Sequence, residues 1–117
     1  MTDSDAKSNR RAIRVTERNL WFLERSLPLF GMIDFFPTDC VAKPSAVDPV
    51  KKLTIETDQG WSFSSDIAWD SKIFRNSSRN RGTGRWVTNA ELKPGDQIII
   101  EKISEYTYRL MKQTPND

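Results

Sequence analysis

Turn chemistry recurs along this chain, and no long amphipathic helical pattern appears among the interruptions. Pro28, Gly31, Pro37, Pro44 and Pro49 divide the first half, Asp58-Gln59-Gly60 divides the middle, and Pro94-Gly95 precedes the last apolar run. Proline fixes φ and has no N–H to donate, while glycine reaches φ > 0 at little steric cost, so each is a break in regular structure. Several of the segments between the breaks alternate apolar with polar residues, which is the period of a half-buried strand.

The sharpest signal is LKPGDQIIIEKI, residues 92–103. Proline followed by glycine makes a turn, Asp96 can satisfy backbone N–H groups there, and Ile98, Ile99 and Ile100 follow as a buried strand. YTYRLM returns as the last strand through Tyr106, Tyr108 and Leu110. Upstream, KKLTIET alternates Leu53, Ile55 and Thr57, and WSFSS follows the Asp-Gln-Gly turn as its hairpin partner. Ile13 and Val15 open a first strand, and Leu20 to Phe22 read as a second. MIDFFP reads as a short strand ending at Pro37, KIFR and RWVT as two more. Single helical turns are expected in TDCVA, capped by Thr38, in SDIAWD, capped by Ser65 or Asp66, and in NAEL, with Asn89 at the N-cap. Residues 43–50, with two prolines, are a loop. The expectation is mainly β: about seven or eight short strands and one or two helical turns, in a compact barrel or barrel-like sandwich.

The length of 117 residues fits one domain. It is expected over residues 12–112, between polar tails at 1–11 and 113–117. There is no histidine, which excludes histidine-based proton transfer and the histidine-activated nucleophile pairs. Cys40 is the single cysteine, so neither an internal disulfide nor a thiolate zinc site can form; it is expected to be a small buried hydrophobe. No apolar run approaches the roughly 18 residues of a membrane span, and the polar start lacks a signal peptide's apolar core. A reducing, cytoplasmic setting is the expectation. RGTGR is not expected to sit between a long strand and a helix, as a dinucleotide loop would. The sequence therefore predicts no catalytic residue, no metal ligand and no cofactor.

The net charge of +2 conceals an asymmetry. SKIFRNSSRNRGTGRW, residues 71–86, carries Lys72, Arg75, Arg79, Arg81 and Arg85 and no carboxylate, whereas the rest of the chain is net negative. Basic side chains neutralise phosphates and release condensed counterions; five contacts to duplex DNA would give a salt slope of about −4.5. The arginine fork also fits the guanine edge in the major groove, and Asn76 and Asn80 carry the amide that fits adenine. Ser77, Ser78 and Thr83 can donate to phosphate oxygens, and Gly82 and Gly84 let a backbone approach closely. The bland alternative is a solvated surface loop, and RNA or an acidic protein would also meet the charge. Of the four tryptophans, Trp61 and Trp69 read as core, Trp21 as surface-facing and Trp86 as the anchor of the basic loop.

ELKPGDQIIIEKI resembles the turn-and-strand element of AbrB-like transition regulators and of plant B-three DNA-binding domains. Taken in order, NLWFL, IDFFPTDCV, LTIETDQG, SDIAWDSKIFR, RWVTNAELKPGDQIIIEKI and YTYRL resemble a bacterial B-three-like pseudobarrel across residues 12–112. The resemblance implies an open pseudobarrel of about seven strands with two short helices. It also implies two arms that grip duplex DNA in the major groove. One arm would carry Arg75, Asn76, Arg79, Asn80, Arg81 and Arg85; the other, RVTERNLW, would carry Arg14, Thr16, Arg18, Asn19 and Trp21. Such modules serve as transcription factors or as recognition domains of restriction endonucleases, so a protein partner supplying the effector is expected. Two other classes stay open: an interaction module using an apolar patch at Leu27, Leu29, Phe30 and Met32, and a magnesium-dependent nuclease built from Asp34, Asp39, Asp66 and Asp70.

Overall fold

A computed structural model describes residues 9–23, 27, 29, 31–42, 51–69, 73–74 and 82–114. In chain order these form β1 (Arg10–Arg14), α1 (Leu20–Leu23), 3-10 turns at Ile33–Phe35 and Thr38–Cys40, β2 (Val41–Ala42), β3 (Leu53–Thr57), β4 (Ser62–Ser65), β5 (Ile67–Ala68), β6 (Ile73–Phe74), α2 (Gly82–Ala90), β7 (Gln97–Ser104) and β8 (Thr107–Gln113). Two sheets result, β1-β7-β8-β3-β4 and β2-β5-β6. β3 runs parallel to β8, and β2 parallel to β5; the other pairs are antiparallel. The mainly β expectation holds.

The KPGD turn works as its chemistry requires. Gly95 takes φ 101°, the Lys93 N–H donates to Asp96 Oδ2 at 2.9 Å, and the Asp96 N–H returns to the Lys93 carbonyl at 3.0 Å. The turn also exchanges two backbone hydrogen bonds with Val15, which prolongs the β1–β7 ladder beyond Arg14. At the β3–β4 hairpin, Gly60 takes φ 89°, and the Trp61 carbonyl accepts from both the N–H and the hydroxyl of Thr57. Ile55 then faces Phe63, as the alternation of both strands demands.

Both sheets fill one core. Leu53, Ile55, Ile98, Ile100, Tyr108 and Leu110 come from the larger sheet, Ile67 and Phe74 from the smaller, and Trp86 and Val87 from α2. The Tyr108 ring packs against Phe36 at 4.8 Å and Phe35 at 5.5 Å, and its buried hydroxyl donates to the Phe35 carbonyl at 2.7 Å.

Several local expectations are overturned, each for a packing reason. MIDFFP is a 3-10 turn, because Phe35 and Phe36 are adjacent and both buried, which strand alternation cannot provide. Leu20 to Leu23 is helical, started by a turn in which Thr16 and Asn19 hydrogen-bond each other's backbone N–H. SDIAWD supplies β5 instead of a helix, since Ile67 is held between Val41 and Phe74. RWVTNA forms most of α2 in place of a strand and a turn; Thr83, Trp86, Val87 and Ala90 fall on its buried face at helical spacing. Thr38 makes no cap: the 3-10 turn begins after Pro37 with no side-chain hydrogen bond. Leu27, Leu29 and Met32 are buried and form no surface patch, while Phe30 lies outside the described residues, as does the expected loop at 43–50. Trp69 is 38% exposed, not core. β1 takes in Arg10 and Arg11, and β8 takes in Gln113.

α2 ends in a left-handed residue without glycine: Glu91 has φ 52°. A side chain pays about 1 kcal/mol there, and glycine is the usual occupant of the position after a helix. Glu91→Gly is expected to raise stability by roughly 0.5–1 kcal/mol, read as a higher urea midpoint with an unchanged slope.

Candidate nucleic-acid interface

The basic segment is bracketed by elements rooted in the core. Near its N-terminal end, directly after Lys72, is β6, where Phe74 is 1% exposed and pairs with Ile67. On its C-terminal side is the first turn of α2, where Gly82, Thr83 and Gly84 are all buried. These two glycines are therefore buried at the helix start, Gly82 with a left-handed φ of 55°, and do not lie open to a phosphate, as the sequence suggested; Thr83 is likewise buried. Lys72, Arg75, Asn76, Ser77, Arg79, Asn80 and Arg81 lie outside the described residues.

α2 is clamped by the β3–β4 turn. Trp86, wholly buried, donates its indole N–H to Asp58 Oδ1 at 2.8 Å, while Asp58 Oδ2 accepts from the Lys112 backbone N–H at 2.8 Å. Gln59 donates its amide to the Trp86 carbonyl at 2.9 Å and accepts from the Trp61 indole N–H at 3.2 Å and from the Asn89 side chain at 3.3 Å. Lys112 reaches the other end of the helix and donates to the Ala90 carbonyl at 2.8 Å, where a cation suits the helix dipole. Trp86 is thus the anchor its position suggested.

Arg85 alone among the candidate residues of this arm is described. It is exposed, and its guanidinium carbon sits 4.2 Å from the centre of the Trp61 ring. Trp61 is half-buried and tilted against Phe63 at 5.8 Å. Sequence reasoning assigned Trp61 to the core and missed this contact; the only signal was a large ring placed directly after a tight turn.

The other arm is a turn beside β1. Thr16 N–H donates to Asn19 Oδ1 at 2.8 Å, Asn19 N–H donates to Thr16 Oγ1 at 3.1 Å, and the Asn19 amide donates to the Arg14 carbonyl at 2.8 Å. These two side chains build the turn. Arg14 and Arg18 project from it into solvent, as does Glu17, and Trp21 is 61% exposed with its ring edge-on to Phe22.

Elsewhere among the described residues Arg10, Lys51, Lys52 and Arg109 are paired with carboxylates. On one face of the larger sheet Arg10 meets Glu101 at 3.3 Å and Arg109 meets Glu56 at 3.1 Å, with Glu101 and Arg109 opposite each other in register. A row of alternating sign offers a polyanion little net attraction. An open groove of about 590 Å³ beside it, lined by Glu56, Asp58, Trp61, Arg109 and Met111 among others, has the same mixed sign. The aspartates are committed separately. Asp66, almost fully buried, pairs with Lys52 at 2.9 Å, and Asp39 accepts from the Tyr106 hydroxyl at 2.7 Å with Lys51 3.7 Å away. The bond to Asp39 pushes the Tyr106 hydroxyl's pKa up, and the bond to Tyr106 does the same for Lys51. Asp34 is exposed, and Asp70 lies outside the described residues. Among the described residues no three acidic or thiol groups converge as metal ligands would, and no helix is long and apolar enough to cross a membrane.

No family model matches the chain, and no curated protein matches it. Solved structures do. The hypothetical Arabidopsis thaliana protein At1g16640.1 superposes with a TM-score of 0.54 at 17% identity, over 92% of this chain and 91% of that one. The N-terminal domain of Helicobacter pylori LlaJI.R1 gives 0.56 at 14% identity, over 92% and 89%. The likeness is one of fold, it extends over nearly the whole chain, and it is consistent with the pseudobarrel implied by the B-three resemblance.

Proposed function

We propose that this chain is a non-catalytic domain that binds double-stranded DNA through the basic segment and acts as a regulator or as the recognition module of a larger cytoplasmic system. The observation that carries the reading is the acid-free run of Lys72, Arg75, Arg79, Arg81 and Arg85, which contains two side chains seated in the core, Phe74 and Trp86. Anchoring both roots limits the entropy lost when such a segment is ordered on a ligand. The charge-balanced row on the larger sheet gives polyanion no competing landing surface there. Arg14, Arg18 and Trp21 would form the second arm, oriented by the Thr16–Asn19 turn. The fold shared with the two solved structures supports the B-three resemblance, and through it the duplex as ligand. Phosphate contacts would set the register, and Arg and Asn side chains would read bases. A partner chain would supply any effector or catalytic step.

The test is a titration of labelled duplex DNA at two salt concentrations. Arg79→Ala/Arg81→Ala is expected to weaken binding at least tenfold at low salt and to make the salt slope shallower by about 1.8. Unchanged affinity and slope would remove the basic segment from the interface. Magnesium-dependent cleavage of the duplex would replace the reading with the nuclease.

A further inference from the structure

Arg85 differs from a solvated surface arginine in having its position fixed from below. Its guanidinium lies over the indole of Trp61 at 4.2 Å, well inside the range of a cation–π contact. The ring beneath it is itself held: its N–H donates to Gln59, whose amide is tied to the Trp86 carbonyl of the same helix that bears Arg85. Helix, turn and stacked pair therefore form one closed unit, with Trp86 and Asp58 as its buried end. An arginine carries considerable rotamer freedom that a ligand would otherwise have to freeze, and stacking leaves its in-plane N–H groups available.

We infer that Trp61 is a positioning residue for DNA binding: it holds the Arg85 guanidinium in advance, so that it meets a backbone phosphate of the duplex at the root of the basic segment. This rests on the proposed duplex binding. A phosphate is the expected partner because Arg85 sits on a rigid helix turn, where a contact fixes register, and not in the stretch between β6 and α2.

The test compares Trp61→Phe, Trp61→Leu, Arg85→Ala and the Trp61→Leu/Arg85→Ala pair in titrations of a labelled random-sequence duplex at several salt concentrations. Arg85→Ala is expected to weaken binding roughly tenfold and to make the slope shallower by about 0.9, one phosphate's share. Trp61→Leu should weaken binding about two- to fivefold with the slope unchanged, because the charge remains and only its preorganisation is lost. Trp61→Phe should restore most of that loss, and the double variant should bind as Arg85→Ala does. Trp61→Leu binding like the parent, Phe failing to rescue, or additive losses in the double variant would overturn the inference. So would an Arg85→Ala variant with parental affinity while Arg79→Ala/Arg81→Ala is impaired, which leaves the duplex reading intact. A parent chain that binds no duplex would defeat both.

If Trp61→Leu does not fold, the Arg85 side-chain Nε–H resonance of the parent decides. The inference expects it to be displaced by the indole ring current in the free protein, and to stay displaced when duplex is added. An unshifted resonance, or a shift lost on binding, counts against it.

Discussion

Trp86→Ala is expected to lower stability by about 3–5 kcal/mol, the range for deleting a large buried aromatic side chain. Trp86 is among the largest wholly buried side chains of the core, so the vacated volume is large. Two further losses add to the cavity. Asp58 Oδ1 loses the indole N–H that it accepts, and the turn carrying Asp58 and Gln59 loses the ring that it clamps. Against a total stability of about 5–15 kcal/mol the change is severe, and the melting temperature should fall by roughly 10–20 °C. Trp86→Phe separates the contributions. It keeps most of the apolar burial and gives up the hydrogen bond; because Asp58 is exposed and can bind water instead, the cost should be nearer 1–2 kcal/mol. If Trp86→Ala cost no more than Trp86→Phe, the ring would not be the root of α2.

The residues that could be read correctly from the sequence are those whose neighbours in the chain decide their structure. Leu53 to Thr57, the turn through Gly60, and the run from Pro94 to Leu110 combine alternation with turn residues, and the hairpins follow from local chemistry alone. The failures occur where partners distant in the chain decide. Ile67 is a strand residue because Val41 and Phe74 flank it, a fact absent from SDIAWD. α2 was hidden by Gly82 and Gly84, whose low helix propensity outweighs, in any local reading, the helical spacing of Thr83, Trp86, Val87 and Ala90. Burial of Trp86, Val87 and Ala90 in the core is what outweighs that preference. The candidate site divides the same way. Its charge was visible as composition, since five cations without an acid need no structure to be noticed. The support of Arg85 by Trp61 was not, because it links residues 61 and 85 through the docking of a turn on a helix.

Stability is expected to fall steeply above pH 9, through two groups that burial keeps protonated. Desolvation is the main cause for both: it pushes the Cys40 thiol from 9.0 up to about 11, helped by the nearby Asp39 carboxylate, and the Tyr108 hydroxyl from 10.0 up to about 12. The folded state thus binds each proton more tightly than the unfolded chain does. The stabilisation is complete below the unfolded values and is lost as pH climbs through the folded ones. At 1.36 kcal/mol per unit, each shift corresponds to about 2–3 kcal/mol, and because the Cys40 thiolate contributes to the Tyr108 shift the two are not strictly additive. The raised pKa values of Lys51 and Tyr106 act in the same direction. Urea midpoints measured from pH 7.5 to 12 should be flat to about 8.5, decline through 9–10, decline fastest between 10 and 11 where both groups titrate, and slow again towards 12. Cys40→Ala should remove the leg that begins near pH 9, and Tyr108→Phe the leg that begins near 10. The second variant also strips the Phe35 carbonyl of its 2.7 Å donor, which costs about 1 kcal/mol at neutral pH. The two curves should therefore cross: Tyr108→Phe is the weaker protein at pH 7.5 and the stronger one near pH 12. Parallel curves would mean that the Tyr108 hydroxyl ionises as readily in the folded protein as in the unfolded chain.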